Sequence, residues 1–174
     1  MAEHPEYLQA QSRRVAVRAA EVRDWCARAA ASPRKRYRLL AHQPDDSIHE
    51  MLICLDASTY VQPHKHPGKT ISLHTIEGFA RLLLFDEFGA VTQQIPLGPY
   101  ASGQTFYYRI GEEVYYAIVI ESDVFVVLET IQGPFRRDET VYAPWAPDET
   151  QDERMAYSLE LKAQLHPQLH PGYL

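Results

Sequence analysis

From residue 36 to 132 the chain breaks into short runs of β-branched, aromatic and aliphatic residues separated by turn residues. No other feature limits the fold as strongly. The periodicity predicts strands over 37–41, 49–55, 59–63, 70–76, 79–86, 90–95, 104–110, 114–121 and 124–131. Asp86-Glu87-Phe88-Gly89 and Glu121-Ser122-Asp123 supply turn chemistry between neighbouring strands. Parallel α/β folds alternate strands with helices, and this stretch has no such alternation. A mainly β sandwich or small barrel is therefore expected.

The flanks read differently. Over residues 6–32, Val15, Ala19, Val22, Cys26 and Ala29 recur at spacings of three and four, while Arg13, Arg14, Arg18, Glu21 and Arg28 lie elsewhere around the same helix. Pro33 ends it, and Pro33-Arg34-Lys35-Arg36 reads as a solvated basic linker. Beyond residue 133 the chain is Pro-rich, with a modest helix predicted over 149–165. The last nine residues read as a loosely held arm or an oligomer contact. No internal repeat or low-complexity tract interrupts this organisation.

With 174 residues, 45% of them hydrophobic, the chain suits one well-buried domain. A net charge of −6 and a pI near 5.7 give no electrostatic reason to expect nucleic acid or an anionic membrane as partner. Apolar runs such as Leu82-Leu83-Leu84-Phe85 are too short to span a bilayer. The first residues lack the basic start and apolar stretch of a signal peptide. Cys26 and Cys54 form no CxxC spacing, so a reduced, cytoplasmic setting is expected. Exposed strand edges make a homodimer the default assembly.

The chemistry concentrates in Pro63-His64-Lys65-His66-Pro67, which opens into the strand ending at Gly78. Two histidines spaced i, i+2 on a strand project from one face, so both imidazoles can reach a single metal ion or substrate.

Between about residue 33 and residue 149 the chain resembles the WbuC family of cupin-fold metalloproteins. The resemblance rests on Arg34-Lys35-Arg36, Tyr60-Val61-Gln62-Pro63-His64-Lys65-His66-Pro67, Gly78, Leu84-Phe85-Asp86, Gly89 and Glu129, and on the closing Gly133-Pro134-Phe135 and Trp145-Ala146-Pro147-Asp148-Glu149. It implies a single RmlC-like jelly-roll β-barrel over 34–149, preceded by an N-terminal helix in 1–33. A short helical, Pro-rich tail over 150–174 would follow. Proteins that look like this are often encoded with surface-polysaccharide genes, and their biochemical function is poorly defined.

The resemblance also implies a ligand set for a divalent metal ion (Zn, Fe, Mn or Ni). It comprises the two histidines of the His-x-His, a Glu seven residues before the Gly, and a His on a later strand. His64 and His66 are present. Ile71 stands where the Glu is expected, and Tyr116, preceded by Tyr115, stands where the later His is expected. Two imidazoles alone give an exchangeable site, and a tyrosine must lose a proton with a pKa near 10 before it ligates. The implied centre of His64, His66 and Tyr116 is thus a weakened one.

Strand parity sorts the neighbours. With position 71 facing inward, Leu73, Thr75 and Glu77 share its face and His74 points outward as a structural histidine. On the later strand Val114, Tyr116, Ile118 and Ile120 alternate with Tyr115, Ala117 and Val119. A cavity holding His64, His66, Tyr116, Glu129 and, at a strand end, Glu77 follows. Tyr100, Phe106, Tyr107, Tyr108, Tyr115 and Tyr142 read as sheet and interface packing, with stacking against a sugar as the alternative. Arg136 and Arg137 read as solvated beside Asp138 and Glu139, the alternative being contact with an anionic substrate at the cavity mouth.

The expected function is binding of a small polar metabolite, such as a sugar derivative, in the barrel cavity with an altered metal site. Two alternatives stand beside it. One is a metal-free sugar-nucleotide epimerase or isomerase with His64 or His66 as base and Tyr116 as acid. The other is a non-catalytic sensor or structural cupin.

Overall fold

The computed structural model describes residues 4–134 and 136–165. Eleven strands and two α-helices follow in the order β1 (Tyr7–Gln9), α1 (Ala19–Ala31), β2 (Arg36–Leu40), β3 (Ile48–Asp56), β4 (His64–Lys65), β5 (Ile71–Glu77), β6 (Ala80–Phe85), β7 (Val91–Leu97), β8 (Tyr107–Ile110), β9 (Tyr115–Ile120), β10 (Val124–Gln132), β11 (Val141–Tyr142) and α2 (Glu153–Ala163). They form a six-stranded sheet, β1-β2-β3-β10-β5-β8, and a five-stranded sheet, β11-β4-β9-β6-β7. Within these, β3-β10-β5-β8 faces β4-β9-β6-β7, the interleaved order of a double Greek-key jelly roll. Among the described residues the ladders make two separate sheets.

Alternation along the strands builds three apolar layers. Inward residues Ile71, Leu73, Leu82, Leu84, Ile118, Phe125 and Val127 fill the space between the sheets. On the outer face of the six-stranded sheet, Tyr37, Leu39, Cys54 and Val126 pack under Trp25 and Ala29 of α1. On the outer face of the other sheet, Leu83, Phe85, Tyr115, Ala117 and Val119 are covered by Ala143 and by Leu161 of α2. Every residue of β9 is consequently buried, as expected of a strand covered on both faces.

The N-terminal helix is shorter than its periodicity predicts. Tyr7–Gln9 leaves the pattern to pair in parallel with β2, Tyr7 opposite Arg38. Val15 lies outside α1 and stays exposed. The helix starts where Glu21 accepts a hydrogen bond from the Arg18 backbone N–H at 2.8 Å. It stops before Pro33, whose ring disfavours helical geometry at Ser32. The strand expected over 59–63 is also absent, and only His64–Lys65 pairs there. The predicted C-terminal helix forms over Glu153–Ala163. The arm expected in the last nine residues lies outside the described residues. No helix among the described residues is long and apolar enough to cross a membrane.

Candidate functional site

A cavity of about 250 Å³ opens between the sheets at the end where β2, β3, β4, β9 and β10 converge. Met51, Ile53 and Leu55 of β3 form its apolar floor at i, i+2, i+4 spacing. His64, His66, Tyr116 and Glu129 all line it. The sequence-derived constellation is therefore assembled, with one exception.

The exception is Glu77, which is exposed and does not reach the cavity. A register irregularity in β5 opposes Thr75 to Val127 and Glu77 to Val126, skipping Ile76. The extra residue flips the parity. Glu77 consequently shares the face of Val126, which packs towards α1. His74, by contrast, is exposed as parity predicts, with its ring 5.7 Å from that of Phe106.

His64 pairs in register with Tyr116, which places the two rings 4.5 Å apart. The His64 Nδ1 lies 2.7 Å from the Gln62 carbonyl. A carbonyl only accepts, so Nδ1 carries the proton and Nε2 offers its lone pair. Tyr116 then donates its hydroxyl proton to Nε2 at 3.1 Å. Burial holds the His64 imidazolium below its usual range. Burial, and secondarily the Glu129 charge, push the Tyr116 phenol well above 10. Both groups are neutral at physiological pH.

His66 packs edge-on to His64, with ring centroids 5.0 Å apart, and its Nδ1 lies 3.4 Å from the Thr140 hydroxyl. Burial, then His64 and Lys69, lower its pKa to about 3. Glu129 sits on β10 between the inward Val127 and Ile131. Desolvation raises its pKa to about 7 against the opposing pull of Arg38 and Arg36.

The largest departure from the sequence reading concerns the basic run. Arg34 and Arg36 are not a solvated linker; together with Arg38 they wall the cavity. Arg36 and Arg38 stand opposite Leu55 and Ile53 of β3, on the inner face, while Tyr37 and Leu39 face α1. The signal was legible as a period of two, since Arg34, Arg36 and Arg38 alternate with Lys35, Tyr37 and Leu39.

Two carboxylates tie this wall together. Glu6 accepts from Arg34 Nε at 2.8 Å and from Arg34 Nη2, and its pKa is lowered first by that contact. Glu149 accepts from Arg34 Nη1 at 2.7 Å and from Arg36 Nη1 at 2.8 Å. Residues from both ends of the resembling stretch thus meet at one ion-pair network. Of the aromatics, Tyr142 lines the cavity, whereas Tyr115 turns outward to Trp145 and lies under Lys65. Arg136 is exposed, as expected.

A resident metal ion does not fit this donor set. Ile71 belongs to the apolar core. The lone pair of His64 Nε2 is engaged by a phenol that holds its proton firmly. Guanidinium groups of Arg36 and Arg38 on the same cavity oppose a divalent cation. No three His, Cys, Asp or Glu side chains among the described residues gather to hold one.

Strand order defines a jelly-roll fold with a cavity at one end of its two sheets. A family model described as a domain of unknown function (DUF6016) matches residues 17–97, from before α1 to the end of β7. That match does not reach Tyr116 or Glu129 and does not confirm the WbuC resemblance. A comparison with curated proteins gives no match. Among solved structures, KdgF from a Halomonas species is 17% identical at a TM-score of 0.47, covering 62% of this chain and 86% of that one. Oxalate decarboxylase from Bacillus subtilis is 15% identical at 0.48, covering 62% of this chain and 27% of that one. A cupin superfamily protein from Desulfitobacterium hafniense is 18% identical at 0.44, covering 56% and 76%. At these values no ligand or activity passes from them to this chain.

Proposed function

We propose that this chain is a WbuC-like cupin that binds a small polar metabolite, such as a sugar derivative, in its cavity, with the family's metal centre reduced to a weak, exchangeable site. The observation that carries this reading is the convergence of His64, His66, Tyr116, Glu129 and three arginines on one cavity of about 250 Å³. Buried polar groups in such number need partners, and an apolar floor with a few directed polar groups is how small-molecule sites are built. The reading includes a cytoplasmic homodimer linked to surface-polysaccharide metabolism. Exposed, mutually packed Tyr100 and Phe106 beside the edge strand β8 support the self-association, which sedimentation would test.

Tag-free protein is expected to carry far less than one metal ion per chain by elemental analysis. It should also bind monosaccharides or sugar acids in ligand-observed NMR, with the signal weakened in His64→Ala. A stoichiometric metal lost in His64→Ala would reinstate a true metal centre. Silence across the sugar panel would remove the binding reading.

A second reading, a metal-free acid–base enzyme, is favoured by one specific contact, the 3.1 Å hydrogen bond between His64 and Tyr116. The neutral imidazole is in the form a base requires and the neutral phenol in the form an acid requires. Turnover of a nucleotide sugar that disappears in Tyr116→Phe would select it.

A further inference from the structure

We propose that the cavity ligand carries a carboxylate, which docks on the guanidinium of Arg38. The proposal rests on the small-metabolite reading above and narrows it to one chemical class.

Three observations carry it. The first is a pair of orphaned donors: the Nε atoms of Arg36 and Arg38 are buried and have no hydrogen-bond partner among the described residues. A buried donor on a charged group is destabilising unless an acceptor meets it. The second is charge. Arg34 and Arg36 are matched by Glu6 and Glu149 through direct ion pairs. Arg38 has no such pair among the described residues, although its guanidinium lines the same cavity. Glu129 lies on β10 of the same sheet, beyond β3, and acts on Arg38 through its charge, with no hydrogen bond between the two among the described residues. Burial, then Arg36 and Arg34, lower the Arg38 pKa to about 10 against the smaller opposing pull of Glu129 and Glu6.

The third is shape. A guanidinium presents parallel N–H groups in a plane, and a carboxylate accepts them two at a time. The terminal nitrogens of Arg36 are taken by Glu149, whereas no ion pair occupies those of Arg38 among the described residues. A cavity of about 250 Å³ corresponds to about eight water molecules at ~30 Å³ each. That accommodates a sugar acid or a short organic acid. The remainder of such a ligand would lie between the Met51–Leu55 floor and the His64–Tyr116 pair.

Calorimetric titration of the full chain with D-glucuronate, succinate, D-glucose and inorganic phosphate tests this. Glucuronate or succinate is expected to bind at least tenfold tighter than glucose and phosphate. Arg38→Lys, which keeps the charge and loses the planar fork, is expected to weaken the carboxylate at least tenfold; Arg38→Gln provides a second variant should the first misfold. Binding of glucose as tight as glucuronate, or carboxylate binding unchanged in both folded variants, would overturn the carboxylate and leave a binding cavity standing. Phosphate binding tighter than either acid would also overturn it. No binding by any of the four would remove both this inference and the reading beneath it.

Discussion

Glu149→Ala is expected to lower the unfolding free energy by about 2–4 kcal/mol, toward the lower side of what breaking a buried ion pair does. Glu149 accepts from Arg34 Nη1 at 2.7 Å and from Arg36 Nη1 and Nη2 at 2.8 and 3.3 Å. Its removal leaves two guanidinium groups side by side with only Glu6 to balance them. Relative side-chain exposures of 31% for Arg34, 16% for Arg36 and 21% for Glu149 keep water within reach, which tempers the loss. The contact also joins positions more than 110 residues apart, so it fastens the segment after β11 to the start of β2. Urea unfolding at neutral pH would measure the change, with Glu149→Gln retaining part of the hydrogen bonding and losing less. A cycle with Arg36→Met isolates the pair, and a coupling near zero would mean that the network contributes nothing.

Glu129→Gln should have the opposite sign. The folded-state pKa of Glu129 is raised from 4.5 to about 7, with desolvation the leading cause. An acid with a raised folded pKa holds its proton longer in the folded chain than in the unfolded one. Wild type therefore loses stability as pH rises from about 4.5 to about 7, and the full penalty remains above that. At 1.36 kcal/mol for each pH unit, the difference between 4.5 and about 7 comes to about 3 kcal/mol. This is an upper bound, because the carboxyl borders an open cavity.

Glutamine cannot ionise. The variant is consequently expected to be more stable than wild type by up to about 3 kcal/mol at pH 8, with no difference near pH 4. His64 and His66, neutral through burial, titrate with the reverse slope. They do so in both proteins and cancel in the difference. Parallel denaturant curves at pH 4, 6 and 8 decide the matter, and a difference independent of pH would show that Glu129 ionises freely.

Much of the fold is legible in the amino-acid order because a strand with one face on the core follows a local rule. Alternating apolar positions at the start of β5 mark which side chains face the core, and Ile71 and Leu73 lie where that alternation puts them. His64, His66 and Tyr116 meet for the same reason. Where a single pairing event intervenes, the local rule fails. Tyr7–Gln9 abandons a helical pattern because the open edge of β2 offers it backbone hydrogen bonds. Glu77 leaves the cavity because one skipped residue in β5 reverses its side.

The sequence by itself determined the β architecture and the histidine pair. Only the tertiary structure decided the character of the cavity they mark. A period of two tells which residues share a face, but it does not tell which face a distant helix seals. Once α1 covers Tyr37 and Leu39, Arg36 and Arg38 must turn inward. Glu6 and Glu149, remote in sequence, then form ion pairs with two of the three arginines and leave Arg38 on the cavity without a direct one among the described residues. Long-range charge pairing of this kind depends on distances in space, which no local pattern of residues encodes.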